Sequence, residues 1–221
     1  MKINLKQIYK GLDEWQAERG ITAESQKEGY IINIMEELGE LADALRDYEK
    51  IKKGGNVTRA GTFDIKSTLG EMTIFEGTTK GELEISLEVI QHEIIDALCD
   101  IAVFTINAGA DIPCEVKPLI IELKRDFSVT DIFVAIADFI RADSNGAPFN
   151  YYNFAFILKY CASVCEQYGY NVEIAMLETI KEISSRTGAY DEKAKKWIKD
   201  ESDEAKAKWY KADYNKARIK Q

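Results

Sequence analysis

The chain has 221 residues, 46% of them apolar and 30% charged, a balance that supports a packed core and argues against disorder. Its net charge of −9 and pI near 4.9 argue against general affinity for a nucleic acid polymer or an anionic membrane. A nucleotide is not excluded, because carboxylates can hold a cation to which phosphates bind.

The opening, MKINLKQIYKGLDEW, has no continuous apolar stretch and does not read as a signal peptide. No apolar run along the chain approaches the ~18 residues of a membrane span. Leu5, Ile8, Leu12 and Trp15 are spaced for a helix over 3–18, ended by Arg19-Gly20. A second helix is predicted over 23–49, with Ile31, Ile34, Met35, Leu38, Leu41, Ala42, Leu45 and Tyr48 on its apolar face. Periodicity is then lost. Residues 50–81 hold six glycines and many threonines, which predicts an irregular insertion, a long loop or small hairpin, with a short strand at Met72-Thr73-Ile74-Phe75.

A third helix is predicted over 84–108, with Leu87, Ile90, Ile94, Leu98 and Ile101 inward and Gly109 at its end. Residues 115–145 read as two shorter helices that break at Phe127-Ser128. Further helices are expected over 150–167, closed by Gly169, and 172–186, closed by Gly188. The stretch 191–217 reads as a charged helix anchored by Trp197, Trp209, Tyr210 and Tyr214. The class is therefore all-α: a helical bundle over 1–190 with insertions at 50–81 and 110–150, and a helical tail over 191–221. Residues 179–221 carry 12 Lys/Arg against 8 Asp/Glu, so a basic end follows an acidic body. The four cysteines form no CxxC pair, and Cys161 and Cys165 share an apolar helical face. Buried reduced thiols and a cytoplasmic setting are expected.

Two acidic stripes stand out. Glu36, Glu37 and Glu40 project together from the second helix, since positions three and four apart share a face. The third helix carries Glu93, Asp96 and Asp100, with Asn107 on the same side, amid isoleucines and leucines. Acidic groups in such surroundings are seldom buried unless paired or bound to a cation. If the stripes face each other, five or six carboxylates converge, and oxygen ligands alone select Mg²⁺ or Mn²⁺. A di-iron bundle would need Glu-x-x-His, but the only histidine, His92, follows Val89 by three. The lone histidine also argues against a Ser-His-Asp or Cys-His enzyme. No Walker-type GxxxxGK[ST] and no GxGxxG is present. Lys181, Ser185, Arg186 and Tyr190 form a last constellation. Its cations suit a helix C-terminus or, beside a metal, a set of phosphates.

With these residues the sequence resembles the all-α nucleoside triphosphate pyrophosphohydrolases, the MazG-like and dimeric dUTPase-like superfamily. The likeness lies in EWQAERGITAESQKEGYIINIMEELGELAD, in HEIIDALCDIAVFTINAG and in YGYNVEIAMLETIKEISSRTGAY. The resemblance implies that Glu36, Glu37, Glu40, Glu93 and Asp96 hold Mg²⁺, with Asp100 replacing or joining Glu93. It implies cleavage of a nucleoside triphosphate, a deoxynucleotide by expectation, between the α and β phosphates. Glu37 would be the general base. Asn107, Lys181, Arg186 and Tyr190 would contact substrate, with Trp15, Tyr30 and Tyr190 as candidates for a base slot. It also implies a homo-oligomer, dimer or tetramer. Many relatives lack the insertions at 50–81 and 110–150. A dUTPase proper and a non-catalytic helical module with an acidic groove stand as alternatives.

Overall fold

Two helices carry the architecture. α2 (Ala23–Lys52) and α3 (Leu87–Ala108) run against each other over much of their length. The computed structural model describes residues 2–69, 72–109, 120–122, 128–144, 151–191, 193 and 196–220. α3 is the centre: 13 of its 22 residues are buried, so it is covered nearly all round, as a helix apolar on most faces must be. Besides α2 it packs on α1 (Lys6–Arg19), α5 (Tyr151–Gln167) and α6 (Val172–Ser185), while α4 (Val129–Ser144) lies outside on α5. Ser86 starts α3 by accepting the Val89 N–H at 3.3 Å, and Asn171 starts α6 by accepting that of Ile174 at 3.2 Å. Gly20 ends α1 at φ 63°, a left-handed conformation that favours glycine. The mostly helical class follows the apolar spacing, and among the described residues no helix is long and apolar enough to cross a membrane.

Three regions depart from the sequence reading. The insertion takes the hairpin alternative rather than an irregular loop, and the strand expected at Met72-Thr73-Ile74-Phe75 is part of a much longer one. β2 (Thr58–Leu69) and β3 (Met72–Glu84) form one long antiparallel hairpin, from Thr58 opposite Glu84 to Leu69 opposite Met72, with a register shift at Ser67/Thr68. Its threonines and aromatics suit strands, and repeated glycines had masked the alternation. Within 115–145, residues Ile120–Glu122 are a strand, β4, paired with β1 (Lys2–Asn4); residues 110–119, 123–127 and 145–150, and with them Cys114, lie outside the described residues.

The tail is not one helix. β5 (Gly188–Asp191) pairs with β6 (Lys196–Lys199), and after them come a single turn, α7 (Asp203–Lys206), and a 3₁₀ turn over Tyr214–Ala217. Gly188 therefore does not close α6. It sits in β5, where an added Cβ would lie 2.3 Å from the Ile198 carbonyl oxygen and 2.8 Å from Trp197 Nε1. Cys99, Cys161 and Cys165 are buried free thiols in the core.

Gly188→Ala should lower stability, because backbone and indole must both move. Gly39→Ala, inside α2 with nothing within 4 Å of the new methyl, should raise it by ~0.5–1 kcal/mol. Urea denaturation checks the pair; a neutral Gly188→Ala would contradict the close approach.

Candidate active site

α2 and α3 bring their acidic stripes into one electrostatic field. Glu36 and Glu40 are exposed, while Glu37, Asp96 and Asp100 are half-buried. Burial raises the Glu37 pKa from its ordinary 4.5 to about 7, helped by Glu40, Asp96 and Glu36 and opposed by Arg186. Burial likewise pushes Asp100 well above the usual carboxylate range, with Asp96 and Glu37 adding to it and Arg186 opposing. Asp96 is raised by burial too. There the Tyr214 hydroxyl, donating to Asp96 Oδ1 at 2.5 Å, works the other way. Glu93 is drawn aside: Arg59, at the base of the hairpin, donates to it at 2.7 Å and to Asp47 at 3.0 Å.

The basic residues divide. Arg186, just past α6, is paired with Glu182 at 3.2 Å, yet its charge is felt at Glu37, Asp96 and Asp100. Its buried Nε has no hydrogen-bond partner among the described residues. Lys181 points elsewhere, with its ammonium 3.8 Å from the centre of the Tyr210 ring. Ser185 accepts the Tyr210 N–H at 2.8 Å. Tyr190 is exposed on β5 opposite Trp197 and lies beside Gly20. Asn107 is buried, and its Oδ1 accepts from Gln16 Nε2 at 2.8 Å. Among the described residues no ion pair or hydrogen bond joins Lys181, Tyr190 or Asn107 to Glu37, Asp96 or Asp100. Tyr30 belongs to the core, and Trp15 donates its indole N–H to the Ile183 carbonyl at 3.3 Å.

Sequence reasoning missed several residues that shape the site. Arg19 read only as the end of α1. It is 6% exposed, its guanidinium lies between the rings of Trp15 and Trp197, and it donates to the carbonyls of Ser184 (2.9 Å), Arg186 (3.1 Å) and Ile183 (3.4 Å). It thus satisfies the C-terminal end of α6 and fixes where Arg186 leaves it. Tyr214 and Arg59 each reach a carboxylate from far along the chain, and neither has a spacing signal. The nearest hint was the aromatic content of the tail.

Among the described residues, the groups here that could ligate a cation are carboxylate oxygens and the Tyr214 hydroxyl. The single histidine packs instead against Tyr170 and Tyr214, at 5.9 and 6.0 Å between ring centres. Among the described residues, no three Asp, Glu, His or Cys side chains are gathered closely enough to enclose a metal ion as they stand. The donor chemistry still fits a hard divalent cation, because Asp96 raises the Glu37 pKa, Asp96 and Glu37 raise that of Asp100, and a cation relieves that repulsion. No family model matches the chain, and neither a curated protein nor a solved structure matches it.

A raised carboxylate pKa makes the folded chain hold more protons than the unfolded one between pH 4.5 and about 7. Glu37 therefore favours the fold at low pH and loses that contribution as pH rises through this window. Glu37→Gln mimics the protonated form. In metal-free buffer its melting temperature should gain on that of the wild type from pH 4.5 to 7 and hold the gain above. A difference that does not vary with pH would contradict the shift.

Proposed function

We propose that the protein is a Mg²⁺-dependent nucleoside triphosphate pyrophosphohydrolase, of the all-α MazG-like and dimeric dUTPase-like kind. It acts on a (deoxy)nucleoside triphosphate and yields the monophosphate and pyrophosphate. The observation that carries the reading is Glu37: a half-buried carboxylate with its pKa near 7, set beside Asp96 and Asp100 and within the field of Arg186. Without a cation this neighbourhood holds the Glu37 pKa near 7; a bound cation would lower it and keep the carboxylate ionised, the form that accepts a proton.

Glu37, Asp96 and Asp100 would hold the Mg²⁺, with Glu36 and Glu40 at the exposed edge and Glu93 shared with Arg59. Bound Mg²⁺ would supply positive charge against the triphosphate and acidify the attacking water. Glu37 takes the water proton as the new bond to the α-phosphorus forms. The bond from that phosphorus to the bridging oxygen of the β-phosphate breaks, and the electron pair leaves with pyrophosphate. Arg186, with a donor to spare, faces that negative charge. Lys181 serves the tail rather than the phosphates. The reading carries a homo-oligomer on the strength of the resemblance, and a cytoplasmic setting on the buried free thiols.

The test is a screen of the common ribo- and deoxynucleoside triphosphates with Mg²⁺, scoring pyrophosphate against orthophosphate. Pyrophosphate and monophosphate should appear in equal amounts. Glu37→Gln and Asp100→Asn should lower kcat/KM at least ~100-fold. Arg186→Ala should raise KM and slow turnover while leaving stabilisation by Mn²⁺ in place. Lys181→Ala should keep wild-type kinetics and lose only stability. Orthophosphate as the sole product, or full activity in Glu37→Gln, would contradict the assignment.

A further inference from the structure

The C-terminal segment is fastened to α6 by two glutamates. Glu178 accepts from the Asp213 N–H at 3.1 Å, from the Lys216 ammonium at 3.2 Å and from the Tyr210 hydroxyl. Glu182 accepts from the Ala212 N–H at 2.8 Å and the Lys211 ammonium at 3.4 Å. Burial works to raise both carboxylates, but these donors outweigh it and hold each below its ordinary pKa. Backbone bonds continue the seam. The Asn171 N–H donates to Ala217 O at 2.7 Å, and the Ile219 N–H to Gly169 O at 2.8 Å.

This seam drives one side chain inward. Tyr214 is 4% exposed, and its hydroxyl lies 2.5 Å from Asp96 Oδ1 and 3.0 Å from Thr179 Oγ1. A phenol has one proton, and an ionised carboxylate only accepts. The Tyr214 proton therefore goes to Asp96, and the Thr179 hydroxyl, whose single proton is shared between the Ala175 carbonyl at 3.2 Å and Tyr214, supports the phenol from its other side. The bond has a directional consequence. The Asp96 charge is opposed by those of Glu37 and Asp100, and by Glu182 on α6. Tyr214 fixes one oxygen against that repulsion and leaves Oδ2 for another partner.

We propose that Tyr214 is a positioning residue of the carboxylate site, pinning Asp96 so that its second oxygen is presented to a divalent cation beside Glu37 and Asp100. The proposal rests on the pyrophosphohydrolase reading for the cation's presence. Supporting hydrogen bonds to ligands of this kind commonly contribute 10–100-fold to metal affinity.

The experiment titrates the full-length chain with Mn²⁺ alone, following free ion by electron paramagnetic resonance, for the wild type, Tyr214→Phe and Thr179→Val. Tyr214→Phe keeps the ring and its packing. Its Kd for Mn²⁺ should rise ~10-fold or more, while far-UV circular dichroism and cooperative unfolding persist. Turnover should recover at saturating Mn²⁺, splitting the metal requirement from kcat. Thr179→Val removes the second partner of the same hydroxyl without touching Asp96, and it should shift Kd in the same direction by less. If Tyr214→Phe does not fold, Thr179→Val decides: an unchanged Kd overturns the proposal. Wild-type affinity in a folded Tyr214→Phe overturns it as well and leaves the hydrolase reading standing. A wild-type chain that binds no Mn²⁺ overturns both.

Discussion

Burying the apolar faces of α2 and α3 against each other forces Glu37, Asp96 and Asp100 into the same low-dielectric space. Ile34, Leu38 and Leu41 on one helix and Ile90, Ile94, Leu98 and Ile101 on the other are all buried, and the carboxylates are interleaved with them. Each such side chain contributes ~1.5–3 kcal/mol by leaving water, so the core outweighs a handful of like-charge contacts. The repulsion is not removed. It adds to the larger cost of burial, and together they raise the Glu37 pKa to about 7, so part of the strain is met by proton uptake.

Other parts of the chain meet the same demand. Arg186 arrives from the end of α6, Tyr214 from the C-terminal segment and Arg59 from the base of the hairpin. Each is held by its own supports. Arg19 fixes the end of α6 from which Arg186 departs, Glu178 and Glu182 fasten the segment that carries Tyr214, and Asp47 shares Arg59 with Glu93. Elements outside the α2–α3 pair thus converge on the charge it creates. The proposed site for a cation and a polyanion would need such rigid support, because its ligands would otherwise relax apart.

The helices were readable because burial sets their period. The spacing of Leu87, Ile90, Ile94, Leu98 and Ile101 marked α3, and Gly20 and Gly169, both at positive φ, marked helix ends. The acidic stripes were visible because Asp96 and Asp100 interrupt an apolar helix. What sequence could not supply was pairing at a distance. Tyr214 lies 118 residues from Asp96, and Arg59 lies 34 from Glu93. Lys181 read as a phosphate ligand because it stands beside Arg186 near the end of α6, yet its ammonium lies on the Tyr210 ring while Arg186 leaves the helix in extended backbone. The tail failed as a helix for a physical reason. Its aromatic anchors dock separately: Trp197 on Arg19, Tyr210 on Lys181 and Tyr214 in the core, with no continuous apolar stripe to bury.

The proposed function stands on one arrangement, the carboxylates of α2 and α3 converging on a cation. Anomalous diffraction at the manganese edge, from crystals grown with Mn²⁺ and a non-hydrolysable triphosphate analogue, tests it directly. The expected result is anomalous density bounded by Glu37, Asp96 and Asp100, with the analogue's phosphates between it and Arg186. Density that avoids these three carboxylates while the analogue is bound elsewhere would contradict it.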